Sequence, residues 1–107
     1  MGRSRAKEPR VKERVFDAAE FLRTEAQMIA YLEAAMEDGD AGLIAATIGD
    51  IARARGMTTV AKETGLGRES LYKTLSADGN PELTTVLKVL KSLGLGMRVK
   101  RLRTSGR

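Results

Sequence analysis

Residues 57–75 read MTTVAKETGLGRESLYKTL, and this stretch decides the fold. Its pattern is that of two short helices joined at a glycine, a helix-turn-helix spanning residues 57–76. Ala61 is followed four residues later by Gly65, and Leu71 comes six after that. Ala61 is small, so a second helix can cross closely over it. Gly65 can adopt a positive φ, which ends the first helix and starts the sharp turn. Leu66 and Leu71 then point back into the core. The outer face of the second helix carries Arg68, Glu69, Ser70, Tyr72 and Lys73, free to enter a major groove of DNA.

Each of those side chains has a role on a duplex and a plainer one in the fold. Arg68 lies in the first turn, the part that reaches base edges, and its guanidinium can address guanine O6 and N7 together. Glu69 can accept from cytosine N4, or simply offset the helix dipole at the N-terminus. Ser70 can bond a phosphate or face solvent. Tyr72 can contact a phosphate or pack on its own domain. Lys73 sits one turn beyond Glu69 and can pair with it or bind a phosphate. Thr58 and Thr59 are expected to cap the helix that runs through Thr64, with phosphate contact as their second role. Gly67 serves as N-cap where Ser is common, and Thr64 and Thr74 replace larger aliphatic residues.

Working outward, Thr24-Glu25-Ala26-Gln27 is a capping box. The helix it opens places Met28, Leu32 and Met36 on one stripe, with Ile29 beside them, and ends near Asp38-Gly39. Asp40 is the N-cap of a second helix, lined by Ile44, Ile48, Ile51 and Ala52 and stopped at Gly56. After the pair at 57–76, Asp78-Gly79-Asn80-Pro81 forms a connector. There Asn80 is expected as N-cap and Pro81 as first residue of a fifth helix. That helix carries Leu83, Val86, Leu87, Leu90 and Leu93 on one stripe and stops at Gly94. These stripes read as core, with a share available to a dimer interface. Beyond Gly94 the period drops to two: Leu95, Met97 and Val99 alternate with Gly96, Arg98 and Lys100, the pattern of a short strand. A lone strand needs a partner. Arg14-Val15-Phe16 and the same strand of a second subunit both qualify. The expected architecture is an all-α, five-helix domain of the Cro/repressor type with a short C-terminal β-strand.

Composition limits the chemistry. The chain has 107 residues, enough for one domain with a modest core. It has no Cys and no His, which removes disulfides, thiolate metal sites and the commonest general base. No Gly-rich phosphate loop and no carboxylate metal cluster appears, so no enzyme, cofactor or metal is expected. No apolar run approaches the ~20 residues that span a bilayer, and the basic N-terminus lacks an apolar segment, so the expected location is cytoplasmic.

The net charge of +5 is unevenly spread. Residues 1–14 hold six Lys/Arg and two Glu, and residues 98–107 hold five Lys/Arg and no acid, while residues 15–97 carry a net of −4. This suggests a basic arm at 1–14, a domain over 15–100 and a basic tail at 101–107. Such arms suit a polyanion, although 1–10 read more readily as a solvated terminus. Residues 41–80 carry five basic and four acidic side chains, weakly cationic for a DNA reader. A homodimer spanning two half-sites, or help from the tails, would compensate.

The chain also resembles a known family. The blocks Phe16-Asp17-Ala18-Ala19-Glu20-Phe21-Leu22 and Ile29-Ala30-Tyr31-Leu32-Glu33-Ala34-Ala35 look like its opening. Ile51-Ala52-Arg53-Ala54-Arg55-Gly56-Met57-Thr58 and Gly65-Leu66-Gly67-Arg68-Glu69-Ser70-Leu71-Tyr72-Lys73 look like its centre. Gly79-Asn80-Pro81 and Leu87-Lys88-Val89-Leu90 complete the match. These are similar to the addiction-module antidote proteins, a branch of the Cro/repressor-type helix-turn-helix superfamily. The resemblance implies a bacterial type II antitoxin that neutralises a RelE/ParE-like toxin and represses its own operon by binding operator DNA. A stand-alone transcriptional regulator, or a protein–protein inhibitor whose helix-turn-helix is purely structural, are the rival readings.

Overall fold

The structure is a computed structural model and describes residues 18–103. Five helices follow a 3-10 turn at Ala18–Glu20: α1 (Glu25–Asp38), α2 (Ala41–Arg55), α3 (Met57–Thr64), α4 (Arg68–Thr74) and α5 (Leu83–Ser92). The chain is therefore all-α among the described residues. The candidate strand partner Arg14-Val15-Phe16 and the arm at 1–14 lie outside them.

Local chemistry sets the boundaries. Thr24 Oγ1 accepts from the Gln27 N–H at 3.1 Å while Gln27 Oε1 accepts from the Thr24 N–H at 3.0 Å, closing the capping box. Gly39, at φ +83°, ends α1. Asp40 Oδ2 accepts from the Leu43 N–H at 2.9 Å and opens α2. Removing the first of these caps, in Thr24→Ala, is expected to lower unfolding free energy by about 1 kcal/mol, read as a drop in Tm with helical content retained.

α2 is the centre of the domain. It touches α1, α3, α4 and the 3-10 turn, and α3 in turn docks on α5. Ile48, Ile51 and Ala52 are fully buried on it, and around them pack Leu32, Met57, Val60, Leu71, Leu75, Val89, Leu90 and Leu93. Tyr31 ties α1 to α2 by donating its hydroxyl to Asp50 Oδ2 at 2.6 Å, and Arg53 holds the other carboxylate oxygen at 2.7 Å. Burial, then the hydrogen bond to Asp50 and its charge, push the Tyr31 phenol well above its ordinary range, so it remains the donor.

Several expectations are corrected. Thr58 and Thr59 do not cap α3: they lie within its first turn, and Gly56, at φ +113°, both ends α2 and opens α3. α4 ends at Thr74 rather than at Ser76, and Asn80-Pro81 precede α5 without starting it. Glu82 stays extended, and its carbonyl accepts the first helical bond from the Val86 N–H at 3.0 Å. Ile29, Met36, Leu83 and Leu87 are exposed, not core, while Val89, which the stripe omitted, is fully buried. No strand forms at 95–99 among the described residues. The reason is the one its pattern gave: an extended segment without a neighbour has nothing to pair with.

Candidate nucleic-acid interface

α3 and α4 are joined by Gly65-Leu66-Gly67. Gly65, at φ +76°, closes α3 with its N–H on the Ala61 carbonyl. Thr64 bonds the Val60 carbonyl at 2.8 Å through its hydroxyl and accepts from the Leu66 N–H at 3.3 Å. The residue that stands in for a larger aliphatic therefore braces the turn by hydrogen bonds. Leu66 packs against the core from its rim, and Ala61 does the same. Gly67 precedes α4 in an extended conformation with no side-chain cap bond.

α4 has two distinct sides. Leu71 is only 1% exposed, and Leu75 just beyond the helix is buried with it. Arg68, Glu69, Ser70, Tyr72 and Lys73 are all exposed, so the structure brings these five together on the outward side of one helix. Thr58 and Thr59 are also exposed, on α3. Thr74 donates its hydroxyl to the Ser70 carbonyl at 2.6 Å, which satisfies it within the helix.

The electrostatics of this face differ from the simplest expectation. Glu69 and Lys73 form no ion pair among the described residues. Instead the Arg68 guanidinium carbon lies 5.8 Å from the centre of the Tyr72 ring, one turn further on. A cation at that distance is attracted by the ring face, by about 0.5–1 kcal/mol at an exposed site. Tyr72 thereby restrains the direction of Arg68 and leaves its nitrogens free for planar acceptors. The i, i+4 spacing of an Arg and a Tyr carried this signal.

One charged residue near α4 was not singled out from sequence. Arg53, on α2, lines a shallow cleft of about 220 Å³ together with Asp50, Tyr72 and Ser76. Only the packing of α4 across α2 places it there. Among the described residues no group of Asp and Glu is arranged to hold a metal ion, and no helix is long and apolar enough to cross a membrane.

Four helices around a buried central one make a small all-α domain among the described residues, with the polar side of the short α4 turned outward. The chain belongs to the family described as "Probable addiction module antidote protein", which it matches over residues 12–101. It is 44% identical over 88 residues to an uncharacterized protein of Haemophilus influenzae, covering 82% of this chain and 91% of that one. No solved structure matches it. Membership of an antidote family implies a toxin as partner in general terms.

Proposed function

We propose that this protein is a type II antitoxin that is also a sequence-specific DNA-binding repressor. It neutralises a RelE/ParE-like toxin, binds its own operator through a helix-turn-helix formed by α3 and α4, and acts in the cytoplasm as a homodimer. The observation that carries the DNA reading is the division of α4: Leu71 is buried while Arg68, Glu69, Ser70, Tyr72 and Lys73 all face outward. Family membership supports the antitoxin role. In this reading Arg68 addresses a guanine, Ser70, Tyr72 and Lys73 hold the backbone beside it, and Thr58 and Thr59 contact phosphate from α3. The basic arm at 1–14 and tail at 101–107 flank the domain and add sequence-independent attraction.

Arg68→Ala tests it. Binding to the chain's own upstream DNA should weaken by about 1–3 kcal/mol, with a smaller loss on random DNA. Neutralising the Lys and Arg of the two tails should weaken both alike and flatten the salt dependence. Equal losses on both DNAs for Arg68→Ala would rule out base readout.

The toxin side of the proposal rests on charge. Glu33, Glu37, Asp38 and Asp40 are exposed around the C-terminal end of α1 and suit a cationic toxin. Reversing their charges should slow association with the product of the neighbouring gene. Unchanged toxin affinity would move the contact elsewhere.

A further inference from the structure

The cleft between α2 and the end of α4 holds a cation of fixed direction. Arg53 donates to Asp50 Oδ1 at 2.7 Å, and Asp50 Oδ2 accepts from the Tyr31 hydroxyl at 2.6 Å. The Arg53 side chain keeps 39% of its surface exposed all the same. An arginine carries several N–H donors in a planar fork, so one carboxylate oxygen aims the guanidinium without saturating it. Two backbone donors stand beside it. Ser76 and Ala77 line the same cleft of about 220 Å³, and among the described residues their N–H groups have no hydrogen-bond acceptor. Gly49 makes this possible: with no Cβ on α2, the Leu75 carbonyl can approach closely and bring the chain after α4 up to Arg53. Tyr72 links the cleft to the outward face of α4. It lines the cleft, and its ring centre lies 5.8 Å from the Arg68 guanidinium carbon.

We propose that this cleft seats one backbone phosphate of DNA, on the wall of the groove that α4 enters. Arg53 supplies the charge, and the N–H groups of Ser76 and Ala77 supply two further donors. The inference rests on the DNA reading of the preceding section and adds a contact from α2, outside the helix-turn-helix pair. The scale fits. A major groove is about 12 Å wide, so a side chain at its base edges has a phosphate wall roughly 6 Å to one side. One tyrosine ring covers that step, from Arg68 to the cleft. A base edge held at Arg68 and a phosphate held at Arg53 would fix the angle of α4 in the groove, which one contact cannot do. Backbone N–H groups beside a guanidinium suit any oxyanion. The shared Tyr72 favours the phosphodiester of the bound duplex over a carboxylate of the toxin, because the cleft opens beside the side chains assigned to DNA.

The test uses the full chain. Arg53→Ala should weaken binding to the upstream DNA and to random duplex alike, by about tenfold. It should also flatten the fall of log affinity with log salt by about 0.9, the share of one phosphate. A purely structural Arg53 would not move that slope. Arg53→Lys keeps the charge and should keep the slope while losing part of the affinity. If Arg53→Ala melts too low to assay, Arg53→Gln still offers Asp50 a donor and carries the same expectation. Single uncharged methylphosphonates scanned along the upstream duplex locate the contact: one position should weaken wild type and have little further effect on Arg53→Gln. A folded variant with an unchanged salt slope overturns the proposal. So does a methylphosphonate profile identical in wild type and variant, or a loss confined to toxin affinity. If Arg53→Gln binds like wild type while Arg68→Ala loses the upstream site selectively, the phosphate assignment alone fails. If wild type does not bind its upstream DNA, the DNA reading fails with it.

Discussion

Gly49→Ala should destabilise the domain by about 3 kcal/mol and lower its Tm by on the order of 15 °C. In an exposed helix the same change would stabilise by ~1 kcal/mol, because glycine carries the larger backbone entropy. Here the expectation is inverted by what lies opposite. Gly49 is buried in α2, and a Cβ there would collide with the backbone carbonyl oxygen of Leu75, with Leu75 C and Cβ each only 3.2 Å away. A flexible side-chain tip could swing aside, but a carbonyl belongs to the chain that ends α4. Either α4 moves off α2 or α2 bends, and both disturb the packing of Leu71 and Leu75 on Ile48 and Ile51. Gly79 is under the same constraint, against the backbone of Thr74. Thermal melts of Gly49→Ala and wild type, with DNA binding measured well below both midpoints, separate the two consequences. A Tm at or above wild type would mean that α2 and the end of α4 are not in close approach.

How much of this was legible in the sequence follows from which interactions are local. The caps at Thr24 and Asp40 and the stops at Gly39, Gly56 and Gly65 depend on residues within four positions of each other, and all were readable. The inward turn of Leu71 and the outward turn of its neighbours follow from helix geometry alone. Depth was not readable. A stripe gives the direction in which Ile29, Met36, Leu83 and Leu87 point, but whether another helix covers them depends on where that helix ends. α1 contacts chiefly α2, so the edges of its stripe remain exposed. Gly49 was invisible for the same reason, since its neighbour is 26 residues away in the chain. The strand expected at 95–99 does not form among the described residues: a two-residue period gives the direction of successive side chains, but not whether a second strand lies beside them. Arg53 was missed because a cation near the end of α2 approaches the polar face only once α4 crosses over it.

Leu71→Ala carries the other large effect, a loss of about 2–5 kcal/mol. The side chain is 1% exposed and belongs to the core cluster that includes Ile48, Ile51, Met57 and Val60. Truncating it removes apolar contact and leaves a cavity that the rigid surroundings fill only in part. Against a total stability of about 5–15 kcal/mol, that fraction populates unfolded chain at moderate temperature. The consequence is sharper for α4 than for the domain average. α4 has seven residues, well below the ~12–15 at which a helix holds together unaided, so it exists because Leu71 and Leu75 dock it. A loosened α4 carries Arg68 with it, and affinity for operator and random DNA should fall together, unlike the selective loss in Arg68→Ala. Two companion variants fix the interpretation. Leu71→Met keeps the volume and should cost less than about 1.5 kcal/mol. Tyr72→Ala, one residue along on the exposed side, should cost at most about 1 kcal/mol by releasing Arg68. Urea midpoints ordered Leu71→Ala below Tyr72→Ala, with Leu71→Met between Leu71→Ala and wild type, are the expected outcome. If Tyr72→Ala proved the more damaging of the two neighbours, α4 would be rotated about its axis, and the face assigned to DNA would be the one holding the domain together.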